Sequence, residues 1–150
     1  MVVLPTHIID GIENHRMKQV VQEYAQDFAL IAVADALLAT EEDYETVAKA
    51  LWESLKDEVG DAPLILMGHG TEHAADGSYA ILETAIRNYA DHEIYIATVE
   101  GAVTIEDVIA RMQKKHTLST NKKMSNQRVV VTPFMLVAGD HANNDMAGGM

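Results

Sequence analysis

At 150 residues, 48% hydrophobic and 23% charged, the chain has the size and composition of a single globular domain with a real core. Its net charge of -12 excludes a nucleic-acid binder, which needs a basic surface to meet phosphates, and disfavours adsorption to anionic lipid. The absence of cysteine removes disulfides, thiolate metal sites and cysteine nucleophiles and is compatible with a cytoplasmic protein, while seven histidines direct attention to metals and proton transfer.

Met1 leads into Val2-Val3-Leu4 with no basic leader, and no apolar run approaches membrane-spanning length, so neither a signal peptide nor a membrane span is expected. Val2 to Ile9, apolar and broken by Pro5, predicts a first strand that ends at Asp10-Gly11. From Ile12 to Phe28 the apolar residues Met17, Val20, Val21, Tyr24 and Phe28 keep helical spacing, and Ala29 to Ala34 is a second candidate strand. Thr40, with Asp43 three positions on, opens a helix through a capping-box arrangement. Its inner face carries Tyr44, Val47, Ala48, Leu51 and Leu55, with Trp52 beside it as a packing residue, and Gly60-Asp61 stops it.

Leu64 to Met67 is a short apolar run bounded by turn residues, as in a buried parallel strand, and it stops at His69, held between Gly68 and Gly70. Those glycines permit a sharp turn and are expected to leave the backbone open to a ligand. A helix follows with Tyr79, Leu82, Ile86 and Tyr89 on one face. Ile94 to Val99 is the next strand, ending at Glu100-Gly101, and Thr104 with Asp107 opens a helix carrying Ile105, Val108, Ile109 and Met112. Lys114 to Gln127, polar and basic, reads as an exposed loop. The last strand is placed from about Arg128 to Val137 and ends in Gly139-Asp140-His141, with an irregularity expected at Pro133, which cannot donate to a ladder. Ala142 to Met150 begins one more helix, with Asn143 or Asn144 as its cap.

This alternation predicts a three-layer α/β/α domain with a mainly parallel sheet whose strand carboxyl ends share one edge, where ligands bind in such folds. Three successive strands then end in His69, Glu100 and His141. Two imidazoles and one carboxylate suit a borderline divalent ion such as Co, Ni, Zn or Fe, and three ligands leave coordination positions open. Singly, each has a plainer reading: His69 as a hydrogen-bonded strand end, Glu100 as a solvated loop carboxylate, His141 as a turn cap. Their convergence favours the metal. His73 is expected at the surface, with Glu72 and His73 as outer support. His7 and Glu13 sit near the end of the first strand and are placed to face the same cleft, His7 chiefly as a buried or capping residue. His15, His92 and His116 are expected to be exposed. There is no Gly-rich phosphate loop, no Gly-x-Ser-x-Gly elbow and no His-Glu-x-x-His helix, which disfavours ATP, NAD, serine hydrolysis and zincin chemistry.

Thr6-His-Ile-Ile-Asp-Gly-Ile-Glu13, Met67-Gly-His-Gly-Thr-Glu-His73, Thr98-Val-Glu-Gly101 and Pro133-Phe-Met-Leu-Val-Ala-Gly-Asp-His-Ala-Asn-Asn-Asp-Met146 carry a resemblance that spans nearly the whole chain. In them the chain resembles the anaerobic sirohydrochlorin cobaltochelatases of the CbiK type, which are class II tetrapyrrole chelatases. The resemblance implies ATP-independent insertion of Co2+ into sirohydrochlorin in anaerobic cobalamin biosynthesis, with no cofactor beyond the substrate metal. It implies His69, Glu100 and His141 as metal ligands, and His69 and His141 as acceptors of pyrrole protons. Glu13 matches a further acidic residue of the cleft, implicated in metal choice or proton transfer. Two similar α/β lobes with the macrocycle between them are implied as well. Against that pattern residues 1–40 correspond to a remnant of the first lobe, and residues 41–150 to a second lobe lacking its C-terminal elements, so the chain reads as truncated at both ends. Either it is a fragment that binds metal poorly or not at all, or it forms a homo-oligomer in which a second copy supplies the absent wall, as half-length class II chelatases do. The same ligands accept Fe2+ or Ni2+. Arg16, Lys18, Arg87, Lys122 and Lys123 are the cations considered for the carboxylates of the substrate.

Overall fold

The computed structural model describes residues 1–120 and 128–135. Strands and helices alternate along them: β1 (Val2–Val3), α1 (Ile12–Glu23), β2 (Ala32–Val33), α2 (Glu41–Val59), β3 (Leu64–Gly68), α3 (Gly77–Ala90), β4 (Ile94–Thr98), α4 (Ile105–Thr120) and β5 (Val130–Pro133). Single 3-10 turns at Ala25–Asp27 and Ala74–Asp76 follow α1 and precede α3.

The main sheet has the order β4-β3-β5, and both pairings are parallel. Every residue of β3 and β4 is buried, because helices cover both faces. Leu64, Leu66, Ile94 and Ile96 project from one face and pack with Ala48 and Val59 of α2 and Leu82 and Ile86 of α3. Ile65, Met67, Tyr95 and Ala97 project from the other and pack with Val108 and Met112 of α4. A strand enclosed in this way has no solvent side, so alternation disappears from its sequence and a continuous apolar run remains. The three-layer α/β/α arrangement is therefore the observed one.

Local chemistry sets the helix boundaries. The Thr40 side chain accepts from the Asp43 amide while the Asp43 carboxylate accepts from the Thr40 amide at 2.7 Å, a complete capping box. Thr104 and Asp107 make the same reciprocal pair before α4. Trp52 packs against His92, ring centroids 4.8 Å apart, and His92 Nε2 lies 2.8 Å from the Ala62 carbonyl oxygen. His92 is thus a half-buried pin rather than the exposed residue expected. Tyr89 departs from its expected apolar face: it is 47% exposed, and its hydroxyl donates to Glu53 Oε1 at 3.2 Å.

Two further expectations are corrected. α4 continues through Thr120, so residues 114–120 are helical and not a loop; Lys114, Lys115 and Leu118 are good helix formers even where the pattern is polar, and Lys115 Nζ pairs with Glu93 Oε2 at 3.3 Å. β5 starts at Val130 and stops at Pro133, so the proline ends the strand instead of bulging within it, and the Phe134 amide donates once more to the Met67 carbonyl at 2.7 Å. Residues 121–127, the expected end of this strand at Val137, and the expected helix from Ala142 lie outside the described residues.

The outer edge of β4 is occupied by side chain and loop. The Ile96 amide donates to Glu83 Oε2 at 2.8 Å, and the Thr98 amide donates to the Val103 carbonyl at 2.7 Å. Glu83 is held by Arg87 at 3.2 Å and Arg111 at 2.5 Å.

The N-terminal residues are organised differently. β1 and β2 are two residues each and pair in parallel as Val2↔Ala32 and Val3↔Val33. The strand expected from Val2 to Ile9 is broken after Val3, close to Pro5, and resumes only as a single parallel bridge between Ile9 and Leu38. α1 ends at Glu23, short of Phe28. Its apolar spacing does not mark a buried face: Val20, Tyr24 and Phe28 are 53%, 55% and 44% exposed, and the buried residue of α1 is Asn14. Ile9 and Leu38 carry this segment into the core shared by α2, α3 and the sheet.

Candidate functional site

Gly68 pairs with Thr98 at the carboxyl ends of β3 and β4, so the loops that follow leave the sheet side by side. The ladder continues into them, the Val99 amide donating to the Gly68 carbonyl at 3.1 Å and the Glu100 amide to the His69 carbonyl at 2.8 Å. This backbone register brings His69 Nδ1 to 3.8 Å from Glu100 Oε2, with both side chains about half exposed. The imidazole and the carboxylate thus stand side by side where the two strands end. His69 Nδ1 is also 3.2 Å from the Gly70 carbonyl oxygen. A neutral ring protonated at Nδ1 satisfies that carbonyl and carries its lone pair on Nε2. His141, the third expected ligand, lies outside the described residues. Among the described residues no group of three or more His, Asp or Glu side chains is placed to hold a metal ion.

His69 and Glu100 open onto a cavity of about 520 Å³, whose wall also includes His7, Glu13 and Asn14 from the N-terminal segment. Two buried polar atoms on that wall, His7 Nδ1 and Asn14 Oδ1, have no hydrogen-bond partner among the described residues. The Asn14 amide nitrogen donates to Asp10, which fixes the unpartnered atom as the oxygen, and this bond holds the Asp10 carboxyl below the usual carboxylate range. Glu13 is on the rim, paired with Arg16 at 2.6 Å and well exposed. Phe134 and Met135, just after β5, complete the lining near the sheet edge.

Of the cations considered for substrate carboxylates, Arg16 is matched to Glu13, Lys18 to Asp10 and Asp35 at 3.4 Å each, and Arg87 to Glu83. Lys122 and Lys123 lie outside the described residues.

The glycines serve a purpose other than the one expected. Gly70 has φ 81°, the sharp turn anticipated, but a Cβ there would collide with Thr98 and the Gly101 backbone. A Cβ on Gly68 would enter the ring of Tyr79. Both positions admit neighbouring parts of the protein, and Gly70 also lines the cavity. Tyr79, read from sequence only as one residue of an apolar helix face, also lines the cavity and accepts from the Gly70 amide at 3.4 Å. Its burial pushes the phenol pKa up, so the ring stays neutral at physiological pH.

Glu72 lines the cavity. His73 turns into the start of the following 3-10 turn, where its Nδ1 accepts from the Ala75 amide at 3.1 Å, and its ring meets that of His15 edge-on at 5.6 Å. His15 is exposed, as expected, and lies 3.4 Å from Asp10 Oδ2. Nothing local marks Asn14 in the sequence, since Glu13, His15 and Arg16 beside it are equally polar.

A family model described as "Cobalt chelatase (CbiK)" matches residues 1–149. The chain is 32% identical over 145 residues to "Sirohydrochlorin cobaltochelatase CbiKC" of Nitratidesulfovibrio vulgaris (strain Hildenborough), an alignment covering 95% of this chain and 48% of that protein. It is 30% identical over 144 residues to "Sirohydrochlorin cobaltochelatase" of Salmonella typhimurium (strain LT2), covering 94% of this chain and 50% of that protein. The chain spans about half the length of these curated relatives.

Proposed function

The chain belongs to the CbiK cobalt chelatase family, and from that premise we propose that it inserts cobalt(II) into sirohydrochlorin, in the cytoplasm, as a step of anaerobic cobalamin biosynthesis. The observation that carries this reading is the His69–Glu100 pair on a cavity that His7, Glu13 and Asn14 also line. Insertion needs two things of the protein. Two pyrrole N–H protons must be accepted, and imidazole titrates in the useful range. The metal must also be held by few enough donors to be passed to the macrocycle one bond at a time.

His69 accepts a proton and, with Glu100 and His141, presents the substrate cobalt. Glu13 acts from the rim on metal choice or proton transfer. The reaction needs no ATP and no cofactor beyond the metal. No helix among the described residues is long and apolar enough to cross a membrane. Residues 1–40 correspond to part of the family's first lobe and residues 41–150 to part of its second, and a further copy of the chain contributes to the cleft.

The test is addition of sirohydrochlorin and cobalt(II) to the purified chain, read as the cobalt-dependent change in the absorption of the macrocycle. Activity is expected, with His69→Ala at least ~100-fold slower, the scale of a lost general base. A flat spectrum beside an active full-length relative overturns catalysis by this chain. The share of its relatives that the chain covers favours one second reading, a cobalt-binding unit without turnover. Stoichiometric cobalt uptake with no chelation identifies it, and competing Fe2+ and Ni2+ in the same assay ranks the metals.

A further inference from the structure

We propose that Asp76 is the positioning residue of this site, its carboxylate tying the loop that carries His69 to the loop that carries Glu100. The inference rests on the chelatase reading for its purpose, and on the geometry alone for its mechanics.

Asp76 precedes α3, yet its side chain makes no capping bond to that helix. Instead Oδ1 accepts from the Thr71 amide at 3.1 Å and Oδ2 from the Ala102 amide at 2.8 Å. Thr71 stands two residues beyond His69, and Ala102 two residues beyond Glu100. One carboxylate therefore anchors both loops at the same offset past their functional side chains. Bonds from amide to carboxylate are charge-assisted and stronger than neutral ones. On the sheet side the two loops are joined by the Glu100 amide donating to the His69 carbonyl, so Asp76 closes the far end of a bracket around the 3.8 Å gap between the side chains.

Gly101 is the counterpart of this carboxylate. A Cβ at Gly101 would collide with Asp76 Oδ1 and with Thr98 Oγ1, so the carboxylate fits only against a residue without a side chain. Site geometry is costly to lose, since a displacement of about 1 Å lowers rates by ~100-fold and altered supporting bonds lower metal affinity by roughly 10- to 100-fold.

Two substitutions attack the bracket from opposite sides. Asp76→Asn keeps one acceptor oxygen but turns an NH2 group towards the other loop, donor against donor. Gly101→Ala displaces the carboxylate from its seat. Cobalt(II) titration followed by visible absorption, together with amide hydrogen exchange of the metal-free chain, reads both. Each variant is expected to bind cobalt(II) at least ~10-fold more weakly. The Thr71, Ala102 and Glu100 amides are expected to lose protection while the Leu66 and Ile96 amides keep theirs, and the double variant should lose little more than either single one.

Wild-type cobalt affinity and wild-type Glu100 protection in Asp76→Asn would overturn the proposal. So would an equal loss of protection at Leu66 and Ile96, which would make Asp76 a residue of the fold at large. If the wild-type chain takes up no cobalt, it is the chelatase reading that fails. The bracket is then judged on Glu100 protection in Asp76→Asn, whose loss supports it and whose retention refutes it.

Discussion

Val2 to Leu4 and Leu64 to Met67 are both short apolar stretches feeding parallel strands, yet Val2 and Leu4 are 72% and 75% exposed while Leu64 to Met67 are all buried. What separates them is cover. β3 has a strand on each side and helices on both faces, so each of its side chains meets a partner. β1 has one two-residue neighbour, and Val20 of α1 and Tyr24 just after it are turned to solvent. The difference teaches that two parts of the cavity lining rest on foundations of unequal strength. His69 and Glu100 follow directly on strands of the buried sheet, whereas His7, Glu13 and Asn14 belong to a segment joined to the core through Ile9 and Leu38.

Truncation on each side should expose that inequality. Leu66→Ala, at a fully buried position of β3, is expected to lower unfolding stability by about 2–5 kcal/mol in urea denaturation, while Leu4→Ala should stay within about 0.5 kcal/mol of the wild type. Comparable losses from the two would erase the contrast. Ile9→Ala should act locally: the Leu37 and Leu38 amides, which donate to the His7 and Ile8 carbonyls, lose exchange protection by roughly 10-fold, with Ile96 unchanged. A parallel loss at Ile96 would show that both regions unfold as one.

The smallest effect is confined to alkaline pH and to the strong region. Burial first, then the bond and charge of Glu93, push the Tyr95 phenol from 10.0 up to about 12. The folded chain keeps this proton after the unfolded chain has lost it, so the contribution is complete below about pH 10 and drains away as pH rises towards 12. Tyr95→Phe should flatten that decline in denaturant titrations without abolishing it, because Tyr79 and Tyr89 shift in the same direction. An unchanged slope would remove Tyr95 from the account.

Features of the fold written locally were legible in the sequence. Thr40 with Asp43 and Thr104 with Asp107 announced their helices, and Leu64 to Met67 announced an enclosed strand because no polar residue interrupts it. The meeting of His69 and Glu100 followed from two parallel strands ending in register. Other features depended on information that no local pattern holds. The spacing of Val20, Tyr24 and Phe28 tells which side of a helix is apolar, but not whether anything lies against it. Residues 114–120 lack apolar periodicity, and their helicity comes from propensity and continuity with the preceding turns. The bond from Ala102 to Asp76 spans 26 positions, and nothing near either residue advertises the other.

The carboxylate of Glu83, gripped by two guanidinium groups and seated on the Ile96 amide, plugs the edge of the sheet at β4. A strand arriving to add beside β4 would have to evict that carboxylate first, so this flank is closed by a side chain rather than by more backbone.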